Sequence, residues 1–146
     1  MKFVLCSIIL HLLHITHGED CSTMYEPLPD LDRRARNYQV AANEPIVFDG
    51  NIDYKWYDVG MRNMPTNYTS LQLGLCGTYF PVWMQGTIPE VADNVVTRTA
   101  CIMSYFEFCE VQKSIQVRNC STKMIYKLEP TTQSSAYCFD TLPDVP

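Results

Sequence analysis

Five of the six cysteines that follow residue 18 fall between Cys76 and Cys138, at positions 76, 101, 109, 120 and 138, and Cys21 stands alone ahead of them. Whether they bind metal or pair with one another depends on where the chain is made. Lys2 precedes an apolar run from Phe3 to Leu13, and the small residues Thr16 and Gly18 sit where a signal peptidase cuts, so residues 1–18 read as a secretory signal with cleavage after Gly18. The run is far shorter than the ~20 residues a membrane span requires, and His11 and His14 interrupt it. In an exported chain an even set of six cysteines reads as three disulfides. A four-cysteine zinc knot is disfavoured, because no Cys-x-x-Cys pair is present.

Loss of the leader removes Cys6 and all three histidines, His11, His14 and His17. It also removes Lys2, so ten basic residues face sixteen acidic ones and the net charge moves from −5 to −6. That balance, without a basic stripe, points away from nucleic acid. Residues 19–146 have the length of a single domain, with a modest core that cross-links would reinforce. No second apolar segment follows, and residues 140–146 resemble neither a transmembrane tail nor a lipid-anchor signal. The expected product is a protein without a membrane anchor, secreted into the extracellular fluid.

Along the chain, residues 19–43 are polar and interrupted by Pro27 and Pro29, and Arg33, Arg34 and Arg36 form a basic cluster expected to be a solvated turn of helix. Strand-type residues follow on either side of the turn signal Asp49-Gly50-Asn51, from Ile46 to Phe48 and from Tyr54 to Val59, although too irregularly for a clean hairpin. Two segments alternate with period two: Ser114–Arg118, with Ile115 and Val117 on one side, and Met124–Leu128, with Met124, Tyr126 and Leu128 sharing a face. They are expected to form a hairpin closed near Cys120, with Pro130 ending the second strand. Asn67-Tyr68-Thr69 is an N-glycosylation sequon on a polar loop and Asn67 is expected to carry a glycan. Asn119-Cys120-Ser121 fits the same pattern but is discounted, because its middle residue is expected in a disulfide.

Without histidine, the Ser-His-Asp and Cys-His nucleophile arrangements are unattainable in residues 19–146, as are zinc sites with imidazole ligands. Carboxylate chemistry survives in three pairs, Glu107 with Glu110, Glu90 with Asp93 and Asp30 with Asp32, which could serve as a glycosidase pair or take part in binding calcium. Surface charge is the plainer reading, since no loop alternates acidic ligands and glycine as a calcium loop does. Neither an enzyme, a cofactor nor a metal is expected. Trp56, Tyr57 and Trp83, with Tyr79 and Phe80, could instead make an aromatic platform for sugar or peptide, or pack in the core. Of these, Trp56, Tyr57 and Trp83 are the candidate binding surface.

Further sequence blocks narrow the field: Trp56-Tyr57, Met64-Pro65-Thr66, Cys76-Gly77-Thr78, the run Pro81 to Pro89, Val96-Thr97-Arg98-Thr99-Ala100-Cys101, Cys109, Ile115 to Cys120, Ile125-Tyr126-Lys127-Leu128 and Ala136-Tyr137-Cys138. With this spacing the chain resembles the cysteine-rich domain of the uromodulin family, which occurs also in the pancreatic zymogen-granule membrane glycoprotein and in oncoprotein-induced transcript three. The fuller family pattern has eight to ten cysteines, and the positions lacking one here fall near Phe48, Tyr68 and Gln133 and at Phe108. The resemblance implies that these four made two complete disulfides and that the remaining pairs are Cys21 with Cys120, Cys76 with Cys138 and Cys101 with Cys109. Lys127 occupies a position that carries a glycan in uromodulin, and Gln85 stands in place of the asparagine of a second family sequon.

The fold expected from all this is mainly β, with a small α+β arrangement as the alternative, in one compact disulfide-stabilised extracellular domain spanning 19–146, monomeric or weakly associating. Its expected function is non-catalytic binding or adhesion toward an extracellular protein or glycan. The alternatives are a structural component of an extracellular or mineralised matrix, and a secreted effector such as a toxin or enzyme inhibitor.

Overall fold

The computed structural model describes residues 20–141; the leader, the expected start at Glu19 and residues 142–146 lie outside them. The strands are β1 (Glu26–Pro27), β2 (Lys55–Asp58), β3 (Phe80–Gln85), β4 (Val95–Ile102), β5 (Val111–Asn119), β6 (Met124–Leu128) and β7 (Ser135–Tyr137). They form one sheet in the order β1-β2-β6-β5-β4-β3-β7. The two outermost pairings are parallel and all those between are antiparallel. The protein is thus mainly β and a single domain held by three disulfides, Cys21–Cys120, Cys76–Cys138 and Cys101–Cys109.

Register explains the core. Tyr57 is opposite Tyr126, which is opposite Val117, which is opposite Val96; in a second row Tyr137, Val82, Ile102 and Val111 follow one another across β7, β3, β4 and β5. Because side chains directly opposite share a face, both rows project to the same side, where Leu28, Met64 and Phe139 from the connections cover them. Tyr126 is wholly buried, meets the Phe139 ring edge-on at 5.4 Å and accepts the Met64 N–H at 3.2 Å. Burial pushes the Tyr126 and Tyr137 phenols well above their ordinary range.

The other face is divided. Toward β3 a second cluster of Leu71, Trp83, Met103 and the Cys76, Cys101 and Cys138 sulfurs covers it. Toward β2, Trp56 lies under Tyr25 at 6.4 Å. Between them Thr97, Thr99, Gln112, Ser114, Gln116 and Lys127 face solvent as a polar strip. β3 is accordingly buried on both sides from Pro81 to Met84, which is why it shows no polar–apolar alternation.

The sheet edges are closed. β1 ends in Pro27, which has no N–H to offer another strand. β7 is covered by residues 34–49: the Asp49 carboxylate accepts the Tyr137 N–H at 2.7 Å and Phe139 N–H donates to the Arg34 carbonyl at 2.9 Å. Asp49 also holds the Arg34 guanidinium by two bonds, of 2.6 and 2.7 Å.

Two expectations are corrected here. Arg34 is not part of a solvated helical turn: it is buried, and Arg33 and Arg36 pair with Glu44 and Asp140 at 2.9 and 3.0 Å. A basic triplet reads as surface unless its acidic partners, distant in sequence, are known. Ile46–Phe48 is not a strand; Val47 N–H donates instead to the Gly77 carbonyl, and Asp49–Asn51 forms a turn of 3-10 helix. At Gly77 the backbone is left-handed (φ +68°), and a Cβ there would come within 2.6 Å of the Arg33 carbonyl oxygen, so that close approach requires glycine.

Candidate functional site

The candidate platform of Trp56, Tyr57 and Trp83 does not exist as a surface: the three side chains are 7%, 3% and 6% exposed. Their alternating places on β2 and β3 turn Tyr57 into the main core, while Trp56 and Trp83 are roofed by Tyr25 and by the Cys101–Cys109 loop. Of the remaining pair, Tyr79 is half-exposed and Phe80 partly buried.

The exposed aromatics are elsewhere, in the connection from β4 to β5. Cys101 and Cys109 close a loop whose reach is too short to fold back on the core, and its side chains point outward: Tyr105 is 74% and Phe106 90% exposed, with Phe108 about half. The loop is nevertheless held firmly. The Ser104 hydroxyl accepts the N–H groups of Phe106 and Glu107 at 3.1 and 3.0 Å, and Ser104 N–H donates to the Glu107 carbonyl at 2.8 Å. Trp83 Nε1–H donates to the Phe108 carbonyl at 2.7 Å, pinning the loop to β3. The Phe108 ring stacks on Tyr68 at 4.1 Å, and Tyr105 meets Phe80 edge-on at 5.2 Å.

Beside the loop lies a cleft of about 140 Å³ with walls that include Phe80, Ile102 and Val111 and a rim that includes Ser104, Glu110 and Thr132. Glu107 and Glu110 flank the aromatics and are exposed. Neither forms an ion pair among the described residues. The other carboxylate pairs serve local structure: Asp93 accepts the Glu90 N–H at 2.8 Å, and Asp32 pairs with Arg62 at 2.7 Å. No group of three or more acidic, histidine or cysteine side chains among the described residues could hold a metal ion. Chemically the arrangement offers a rigid apolar surface with an acidic margin.

Asn67, next to Tyr68, is exposed, and its Oδ1 accepts the Thr69 hydroxyl at 2.7 Å and the Thr69 N–H at 3.2 Å. Asn119 differs: its Nδ2 donates to the Pro89 carbonyl at 3.1 Å, and its neighbour Cys120 is bonded to Cys21. Nothing in the composition marked Tyr105, Phe106 and Phe108 as outward-facing. The usable signal was their enclosure by two cysteines eight positions apart.

Residues 54–139, containing β2 to β7 and the aromatic loop, match the model of the uromodulin-like cysteine-rich domain. Pancreatic secretory granule membrane major glycoprotein GP2 of Rattus norvegicus is 33% identical over 91 residues, 58% of this chain and 17% of the relative. The protein of the same name from Canis lupus familiaris is 36% identical over 91 residues, again 58% and 17%. Uromodulin of Mus musculus is 32% identical over 88 residues, 58% and 14%. The matches therefore span less than a fifth of these relatives. Among the described residues no helix is long and apolar enough to cross a membrane.

Proposed function

This chain belongs to the uromodulin-like domain family, and from that footing we propose that it is a secreted, non-catalytic recognition module that grips an extracellular partner with the Tyr105–Phe106–Phe108 loop. The observation that carries the reading is the combination of exposure and fixation. Large aromatics 90% and 74% in solvent are costly to display, yet this loop is stapled, hydrogen-bonded and buttressed. A partner binding it meets anchors already in place and loses little conformational freedom. The absence of histidine from residues 19–146, with all six remaining cysteines in disulfides, supports a role without nucleophilic or acid–base chemistry.

An N-glycan on Asn67 belongs to the same reading; its support is the exposed side chain and the Thr69 hydroxyl held on it. The test is capture. Immobilised wild-type protein and its Phe106→Ser variant are exposed to the extracellular fluid of the producing tissue and the retained proteins quantified by mass spectrometry. The wild type should hold a defined set that the variant loses. Equal retention by both, or by neither, contradicts the proposal.

A further inference from the structure

The cleft beside the loop measures about 140 Å³, well below the roughly 300–1,000 Å³ of pockets that enclose small molecules, so it has room for one side chain. Its walls include Phe80, Ile102, Met103 and Val111, Glu110 stands in its lining, and the Tyr105 ring is set edge-on to Phe80 at 5.2 Å. The Glu110 carboxylate has no cationic partner among the described residues. An aliphatic side chain entering this cleft would strip water from that carboxylate without compensation, and an acidic one would be repelled. A long side chain with an apolar stem and a cationic head fits both parts. Arginine fits better than lysine, because its weakly hydrated planar head both stacks on aromatic rings and takes a carboxylate through two N–H groups.

Resting on the binding function proposed above, we infer that this cleft is the subsite for a single arginine of the partner protein, with its guanidinium on Glu110 and its stem against Phe80 and Met103. Phe106 and Phe108 then supply apolar contact beside a charged pair, and the partner surface that fits is apolar with a basic margin.

The probe is N-acetyl-arginine amide, titrated into ¹⁵N-labelled protein, with N-acetyl-citrulline amide as its uncharged counterpart. The amide signals of Phe80, Ile102, Met103 and Val111 should shift with arginine and saturate at millimolar concentration. Citrulline, or arginine with the Glu110→Gln variant, should bind about three- to fivefold more weakly, the range of one partly exposed ion pair. Shifts scattered over other acidic surfaces, equal response to citrulline, or no shift at these four residues overturns the subsite. Failure here is separable from failure of the loop as a contact surface, which shows instead as capture that survives Phe106→Ser.

Discussion

A single side chain in this protein can decide whether a segment is core or surface, and Arg34 is the strongest case. It lies in a triplet that sequence alone places in solvent, yet its guanidinium is buried on Asp49, which also receives the Tyr137 N–H. Replacing Arg34 with Met leaves a buried carboxylate unpaired and should cost about 3–5 kcal/mol in urea denaturation. Adding Asp49→Asn should recover much of that loss, because the charge goes while an acceptor for Tyr137 remains. A loss under about 1 kcal/mol would show that the pair is unimportant. The buried phenols set an alkaline limit. Burial raises Tyr126 and Tyr137 above their unfolded value of about 10, so the stability they contribute is whole below that pH and declines as pH climbs toward their folded values. In an alkaline titration followed by tyrosinate absorbance and circular dichroism, these two should ionise only as the sheet signal is lost. Ionisation of all nine tyrosines with the sheet intact would exclude this. Tyr68 and Phe108 add a residue-scale substitution: the uromodulin pattern has cysteine near the first and at the second, and here their rings stack.

Among the elements, β5 and β6 were legible because their pairing has one dry face and one wet one: Ile115 and Val117 face Met124, Tyr126 and Leu128 inside, while Ser114, Gln116 and Lys127 lie on the polar strip. β3 and the end of β4 were not, since Leu71, Met103 and the disulfides bury their second face and erase the period-two signal. Nor did the aromatic loop announce itself, because three aromatics in a row of seven resemble a core strand until the Cys101–Cys109 closure is considered. Connectivity lay beyond the residues alone, as six cysteines allow fifteen pairings, and it entered only through the family spacing. The three bridges should differ in effect. In the chain-entropy model Cys21–Cys120, separated by 99 residues, contributes about 4.7 kcal/mol, and Cys101–Cys109, separated by 8, about 2.5 kcal/mol. Replacing both members of the first pair with Ser should lower Tm strongly and release residues 20–25 to protease, because only Lys123 and Trp56 contacts then hold them. Replacing both members of the second should lower Tm less and confine new cleavage to 103–109. The opposite ranking would contradict the chain-entropy account.

For the molecule as a whole, an inward face sealed by core and connections, edges closed by Pro27 and by Asp49, and a polar strip across the middle of the outer face leave one prominent apolar feature, the loop at the β4–β5 end. Family membership places residues 54–139 among uromodulin-like domains, and the loop is where this member concentrates contact chemistry. Hydrogen exchange of the protein, alone and bound to the partner it captures, tests that most directly. The account predicts slowed exchange at residues 103–110, with the amides of Thr97, Thr99, Gln112 and Gln116 unchanged. Slowed exchange along that polar strip, with the loop exchanging as in the free protein, would contradict it.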